Sequence, residues 1–217
     1  MDVSLNEVEA MAKKAARGAG YPWGLAEEAA RATRWLCAHD LEGCAALADL
    51  LDRIDGANLA DAAPHLTNTG AHLTDTGWIA NGDWLCPIQT GAAMADRAVD
   101  ITSQPFRLGP VAAPLLLLPF AGLVVQASDG TVTVSWDGAT ATTDGADVTF
   151  EGSQTPHCNG AVVKRGGTLA TPLPRRARAA PSSHIWQRLN NYAHRTYAPA
   201  TEESRQRGAG SGGSDTD

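Results

Sequence analysis

The chain has 217 residues, a formal charge of −7 and a hydrophobic fraction of 43%. This length is typical of one domain with a substantial core. No uninterrupted apolar run reaches the roughly 18 residues of a membrane-spanning helix, and the acidic N-terminus is not expected to be a signal peptide. A charged fraction of 19% is too low for a typical disordered protein. Four scattered cysteines are not a disulfide framework and favour a reducing cytoplasm.

Residues 1–55 are predicted to form helices. Ser4 and Glu7 have the spacing of a capping box at the start of the first helix. Pro22 opens a second helix, and a third ends before Asp55-Gly56. Alanines are densest here, and their small side chains favour closely packed helices in a layer that covers the rest of the fold.

Residues 56–110 are predicted to be mixed in structure, with a short helix over 91–99. They contain two similar segments, His65–Gly70 and His72–Gly77. The Asn and Asp neighbours of His65 and His72 make these two histidines candidate metal ligands. Local duplication of a loop explains the same pattern without a metal.

Residues 111–170 are predicted to be rich in β-strands. The apolar run Leu115–Ala127 is expected to be a buried strand, and three Asp-Gly pairs after it indicate hairpins of an antiparallel meander. Ala139–Thr143 has the least to bury and is expected at a sheet edge. A further strand is expected over Ala161–Lys164.

A final helix, residues 182–198, is predicted from the capping residue Ser182. We therefore expect one α+β domain over 1–198, with an N-terminal helical layer packed on an antiparallel β-meander and a C-terminal helix. Residues 199–217 form an Arg/Gly-rich tail.

Charge is unevenly distributed along the chain. The segment from Lys164 to Arg207 contains nine bases and two acids, a local charge of +7, whereas Asp129–Glu151 contains five acids and no base. The structural explanation is a solvated surface, or arginines that pair with the acidic face of the sheet. The functional explanation is an anion site, because arginine binds carboxylate or phosphate bidentately.

The C-terminal stretch contains the candidate ligand-binding residues. Glycines let backbone N–H groups approach an anion, and flanking arginines supply charge. These candidates are Arg195, Arg205, Arg207, Gly208 and Gly210. The stretch lacks the sequence of a P-loop, and the alternative is a disordered tail.

Cys158 and His157 are the candidate catalytic residues, because a thiolate beside an imidazole can act as a nucleophile. Adjacent side chains rarely point the same way, which weakens this pair. Cys37, Cys44 and Cys86 match no zinc spacing and are expected to be small buried residues.

Two stretches resemble a small uncharacterised bacterial family, the domain of unknown function numbered 3726. They are the opening SLNEVE…AARGAGYPWGLAEEA and the closing RTYAPATEESR…GAG. The resemblance implies a bacterial cytoplasmic protein over nearly the whole chain. It carries over no activity, cofactor or site residue.

Three functions remain open, and the cofactor is undetermined. The first is an accessory or binding protein that recognises a small anionic ligand or a partner enzyme through its basic C-terminal segment. The second is a small enzyme with Arg195, Arg205 and Arg207 as a carboxylate or phosphate clamp and Cys158 or His157 as the reacting group. The third is an assembly subunit, since alanine faces suit a homo-oligomer. Nucleic acid is not expected, because the chain is acidic and has no recognition signature.

Overall fold

A computed structural model of the chain describes residues 1–67, 77–99, 105–126 and 130–197. Strand β1, Val3–Ser4, leads into helix α1, Leu5–Gly18. The predicted capping box is confirmed, because Ser4 Oγ accepts from the Glu7 N–H at 3.2 Å and the Glu7 carboxylate accepts from the Ser4 N–H at 2.7 Å. Helices α2, Trp23–Ala38, and α3, Gly43–Ile54, complete the predicted helical layer.

The alanine faces of α1 and α2 are buried within the chain itself. Helix α1 packs against α2 and against the C-terminal helix α6, Ser183–His194. The buried alanines are Ala12, Ala15, Ala16, Ala26, Ala29, Ala30 and Ala32. The small residues that suggested a dimer interface therefore line the protein's own core.

The middle of the chain alternates short strands and helices. It consists of β2, His65–Thr67, β3, Gly77–Ile79, α4, Pro87–Asp96, β4, Phe106–Leu108, and β5, Val111–Ala112. A 3-10 helix, Pro114–Leu117, and helix α5, Leu118–Gln126, follow. The remaining strands are β6, Val132–Trp136, β7, Ala139–Thr143, β8, Val148–Gly152, β9, His157–Cys158, β10, Ala161–Arg165, and β11, Arg178–Ala179.

The α+β class and the predicted meander β6-β7-β8 are confirmed. Over the described residues the main sheet has the strand order β2-β3-β4-β10-β6-β7-β8, antiparallel throughout except between β3 and β4. The further strand expected over Ala161–Lys164 is β10, which lies between β4 and β6. The edge position predicted for Ala139–Thr143 is wrong, because β7 lies between β6 and β8. All of its side chains except that of Thr140 are buried there, and the Thr133 and Thr142 hydroxyls hydrogen-bond across the β6–β7 pair at 2.9 Å.

The strand predicted over Leu115–Ala127 is also wrong. Residues 115–126 of this run lie in the 3-10 helix and in α5, and Pro114 and Pro119 each lie in a first helical turn. Proline has no N–H to donate to a sheet, but at the start of a helix none is needed. Helix α5 packs on β6 and β7 and is contacted by α2 and α4, so it connects the helical layer to the sheet.

The predicted C-terminal helix is confirmed as α6, where Ser182 Oγ accepts from the Ile185 N–H at 3.2 Å, although the helix ends at His194 and not at residue 198. One core cluster includes residues from the helices and from the main sheet. Trp78 and Trp136 are buried in it as packing anchors, whereas Trp23 is 62% exposed under the guanidinium of Arg17. Among the described helices, none has the length and apolar character needed to cross a bilayer.

Candidate functional site

Helices α2 and α3 meet at a tight corner formed by residues 39–42. Asp40 adopts a positive φ of 60°, and the Leu41 N–H returns to the Leu36 carbonyl at 3.0 Å. Gly43 then begins α3 so close to α2 that an added Cβ would lie 2.6 Å from the Thr33 carbonyl oxygen. Glycine therefore allows the N-terminus of α3 to touch the last turns of α2.

Two thiols meet across this corner. The Sγ atoms of Cys37, in the last turn of α2, and Cys44, in the first turn of α3, lie 3.8 Å apart. Their side chains are largely buried, with Cys37 7% and Cys44 3% exposed. Their expected burial is confirmed, but their contact was missed by sequence reasoning.

The two thiols have different acidities. The hydrogen bond from Cys44 lowers the pKa of Cys37 below its usual value, and the backbone N–H groups of Cys44 and Gly43 act in the same direction. Burial and the Glu42 carboxylate oppose this effect. The same thiol–thiol bond, together with burial, raises the pKa of Cys44 far above the usual range. The backbone N–H groups at the start of α3 therefore favour Cys37 over Cys44 as the thiol that ionises first.

The extended segment 175–181 lies against the α2–α3 corner. The backbone N–H of Arg176 donates to the carbonyl of Ala38 at 2.8 Å, and its guanidinium donates to Asp40 at 2.9 Å. Two residues later, Arg178 lies in β11, which pairs with β1. Its Nε contacts both carboxylate oxygens of Asp2 at 2.9 Å.

The corner and this segment enclose an open cleft of about 380 Å³, which we call the corner cleft. Two cysteines, two acidic residues and two arginines are among the residues that line it. The lining residues include Cys37, Asp40, Glu42, Cys44, Arg176 and Arg178. Charge, hydrogen-bond donors and an acidic thiol thus meet in one concave surface.

Residues 3–73 match the family model described as "Protein of unknown function (DUF3726)". The match confirms the resemblance over this range, which we call the DUF3726 segment and which contains the α2–α3 corner. The closing stretch of the resemblance lies outside the matched range. A search of curated proteins finds no match.

A comparison with solved structures finds the crystal structure of malate dehydrogenase from Entamoeba histolytica. The two chains are 12% identical, with a TM-score of 0.49, and the aligned part covers 72% of this chain and 50% of the other. The chain thus spans about half the length of that enzyme. A similarity at this level transfers neither activity nor site residues.

His157 and Cys158 do not form a site together. They occupy β9, where His157 is exposed and Cys158 is buried opposite Val111. Burial raises the pKa of the Cys158 thiol, although backbone N–H groups of Val111 and Gly160 partly offset it. This geometry gives no support to a reactive thiolate at Cys158.

Only one of the two candidate metal ligands, His65, falls within the described residues. His65 is exposed in β2 opposite Ile79, and His72 lies outside the described residues. Within the described ranges, no three His, Cys, Asp or Glu side chains lie close enough to hold a metal ion.

Of the candidate anion-binding residues, only Arg195 falls within the described part of the chain. Its guanidinium donates to both carboxylate oxygens of Asp55, at 2.6 and 2.9 Å, and lies 4.6 Å from the centre of the Tyr192 ring. Arg205, Arg207, Gly208 and Gly210 lie outside the described residues. Arg195 is thus already engaged with a carboxylate of the DUF3726 segment.

The basic C-terminal segment pairs mostly with the helical layer rather than with the sheet. Arg175 contacts Asp147 between β7 and β8, as the pairing alternative expects. The other described pairs reach acids within the first 55 residues. They are Arg176–Asp40, Arg178–Asp2, Arg188–Asp49, Arg188–Asp52 and Arg195–Asp55. The two oppositely charged parts of the sequence therefore neutralise each other across the fold.

Replacing Arg195 by glutamine is expected to raise the pKa of Asp55. The guanidinium hydrogen bond holds this pKa below its ordinary value of 3.8. A carboxyl whose pKa is depressed in the folded state stabilises the fold above its unfolded pKa, and that stability is lost as pH falls through the folded pKa. Loss of the guanidinium should therefore weaken the acid dependence of unfolding below about pH 4. NMR titration of the Asp55 carboxyl carbon measures the shift.

Arg178→Gln is the matched control, because Arg178 pairs with Asp2 instead. It should leave the Asp55 titration unchanged. An identical Asp55 pKa in wild type and Arg195→Gln would show that the ion pair does not persist in solution.

Proposed function

We propose that the protein is a binding protein, bacterial and cytoplasmic, that takes a small anionic ligand in the corner cleft. The observation that carries the proposal is the presence of two arginines, Arg176 and Arg178, among the residues that line a 380 Å³ cleft. Both arginines belong to the basic C-terminal segment. Four free thiols support a reducing compartment.

The contact between Arg178 and Asp2 supports the choice of ligand chemistry. The Asp2 carboxylate accepts from Nε with both oxygens at 2.9 Å, so the guanidinium is already oriented for an oxyanion. The Asp2 side chain is 69% exposed. Exposed pairs of this kind stabilise a fold by about 0–1 kcal/mol. A ligand carboxylate can therefore take the place of Asp2 at little energetic cost.

The remaining walls limit the ligand further. The volume of the corner cleft lies near the lower end of the roughly 300–1,000 Å³ of small-molecule sites. Glu42 adds an exposed carboxylate to the lining. This repulsive charge favours a ligand with a single anionic group over a polyphosphate.

Arg178→Gln is expected to weaken the binding of small carboxylates by about tenfold or more, because a charge-assisted hydrogen bond contributes about 1.5–3 kcal/mol. Acetate, succinate, citrate and inorganic phosphate are suitable probes, with binding measured by calorimetry and by the thermal midpoint. Arg31→Gln is the matched control, since Arg31 pairs with Glu28 on the surface of α2 and does not line the corner cleft.

Deletion of residues 199–217 separates this site from the tail that contains Arg205, Arg207, Gly208 and Gly210. Binding should survive the deletion. Equal affinity in wild type and Arg178→Gln, combined with loss of binding on deletion, would move the site to the tail. No binding of any probe by the wild-type protein would refute the proposal.

A further inference from the structure

Two of the four cysteines differ from the others in their access to solvent and in their neighbours. Cys37 and Cys44 contact each other and both line the corner cleft. Cys86 is fully buried against the Tyr21 hydroxyl, and Cys158 is buried in β9. Only the first pair combines a second thiol with an opening through which a small molecule can approach.

The geometry of the corner favours a bond between these sulfurs. A disulfide bond is about 2.05 Å long, so sulfurs now 3.8 Å apart must approach by less than about 2 Å. Each cysteine lies at a helix end, on either side of the corner. Gly43 leaves this space clear, because an added Cβ would lie 3.2 Å from Cys37 Sγ.

The surroundings of Cys37 favour its thiolate as the attacking group. The Cys44 thiol and the N–H groups of Gly43 and Cys44 direct hydrogen-bond donors toward it and lower its pKa. Donors at the first turn of a helix, here α3, stabilise a thiolate. Cys44 has a raised pKa and is the second, resolving thiol.

We propose that Cys37 and Cys44 form a thiol–disulfide exchange site whose substrate is a low-molecular-mass disulfide, R–S–S–R. The Cys37 thiolate attacks one sulfur, the R–S–S–R bond breaks, and RS⁻ leaves and takes up the proton that Cys37 had lost. Cys44 then attacks Sγ of the Cys37–S–S–R adduct, and its proton passes to the second leaving thiolate. The protein loses two electrons to form Cys37–Cys44, and the substrate is reduced to two RSH.

The exchange site does not depend on the proposed anion site. The attack requires only access to Cys37, whereas anion binding requires the guanidinium groups of the opposite wall. A neutral disulfide and an anionic one therefore test the two proposals separately. Suitable probes are bis(2-hydroxyethyl) disulfide, which is neutral, and oxidised glutathione, which is anionic.

The test uses the full chain, first reduced and freed of reductant. After exposure to the neutral disulfide, remaining thiols are alkylated and the protein is digested with trypsin. No Lys or Arg lies between Arg34 and Arg53, so both cysteines fall in the single peptide 35–53. We expect this peptide to lose two hydrogen atoms and to escape alkylation. The peptides that contain Cys86 and Cys158 should remain fully alkylated.

Single variants assign the two roles. Cys44→Ser should trap the mixed disulfide on Cys37, and it retains a hydroxyl that can donate to the Cys37 sulfur. Cys44→Ala removes this donor and should form the adduct several-fold more slowly. Cys37→Ser should react at least tenfold more slowly than Cys44→Ser. Cys158→Ser, the control, should behave as wild type. Thermal midpoints verify that each variant is folded.

Different results would refute the exchange site, the assignment of the attacking thiol and the role of Arg178. If peptide 35–53 of the wild type retains two alkylatable thiols under both probes, the proposal is refuted whether or not the variants fold. An adduct on Cys37→Ser but not on Cys44→Ser would refute the assignment of the attacking thiol. Arg178→Gln should keep the reaction with the neutral disulfide while slowing the anionic one; equal slowing of both would show that the arginine acts on the thiols rather than on an anion.

Discussion

Gly18→Ala is expected to lower the free energy of unfolding by about 3 kcal/mol or more, a large effect for one methyl group. An added Cβ at Gly18 would lie 1.8 Å from the backbone oxygen of Tyr192 in α6. A backbone atom cannot rotate away as a side chain can, so α1 and α6 would have to separate. Urea denaturation measures the loss.

Gly24→Ala is the matched control. Gly24 lies in α2, and an added Cβ there meets nothing within 4 Å. Because alanine has the higher helix propensity, this change should be neutral or stabilise by up to about 1 kcal/mol. Equal stability of the two variants would mean that α1 and α6 do not approach as closely as described.

Leu117→Ala is expected to lower the free energy of unfolding by about 2–5 kcal/mol, the range for a large-to-small change at a fully buried leucine. Leu117 closes the 3-10 helix before α5 and has no exposed surface. The truncation leaves a cavity among helices, because the 3-10 helix contacts α2, α3, α4 and α5. Calorimetric or denaturant unfolding gives the value.

Leu123→Ala provides the comparison within the same apolar run. Leu123 lies in α5 and is 43% exposed, so its truncation should change stability by no more than about 0.5 kcal/mol. A fully buried strand over the run would make both leucines costly to truncate. A similar large loss in both variants would therefore contradict the helix.

Features that depend on neighbouring residues were predictable from the sequence, whereas features that depend on distant contacts were not. The caps at Ser4 and Ser182 were predictable, because capping involves residues three apart. The run Leu115–Ala127 was misassigned because an apolar run of this kind suits a buried strand or a buried helix equally. Pro114 and Pro119 distinguish the helix from the strand, because proline fits the first turn of a helix but not an interior strand. The interior place of β7 depends on pairing with β8, which its small residues do not reveal.

The corner cleft was less predictable than the fold. Asp40 and Gly43 are residues typical of a break between Cys37 and Cys44, but the two thiols face each other across that break only if the turn is tight. Gly43 was the available signal for such a tight approach. The placement of Arg176 and Arg178 against that corner is a contact between residues more than 130 positions apart. No local pattern encodes it.

The pairing of β1 with β11 also bears on how the chain is made. Asp2 and Arg178 are 176 positions apart, and α1 packs on α6. At about 5–20 residues per second, a ribosome needs on the order of ten seconds or more to add that length. During this time α1 lacks its packing against α6. We expect a nascent chain that ends before residue 178 to be a preferred substrate of chaperones, and a chain that extends past residue 194 to be released from them.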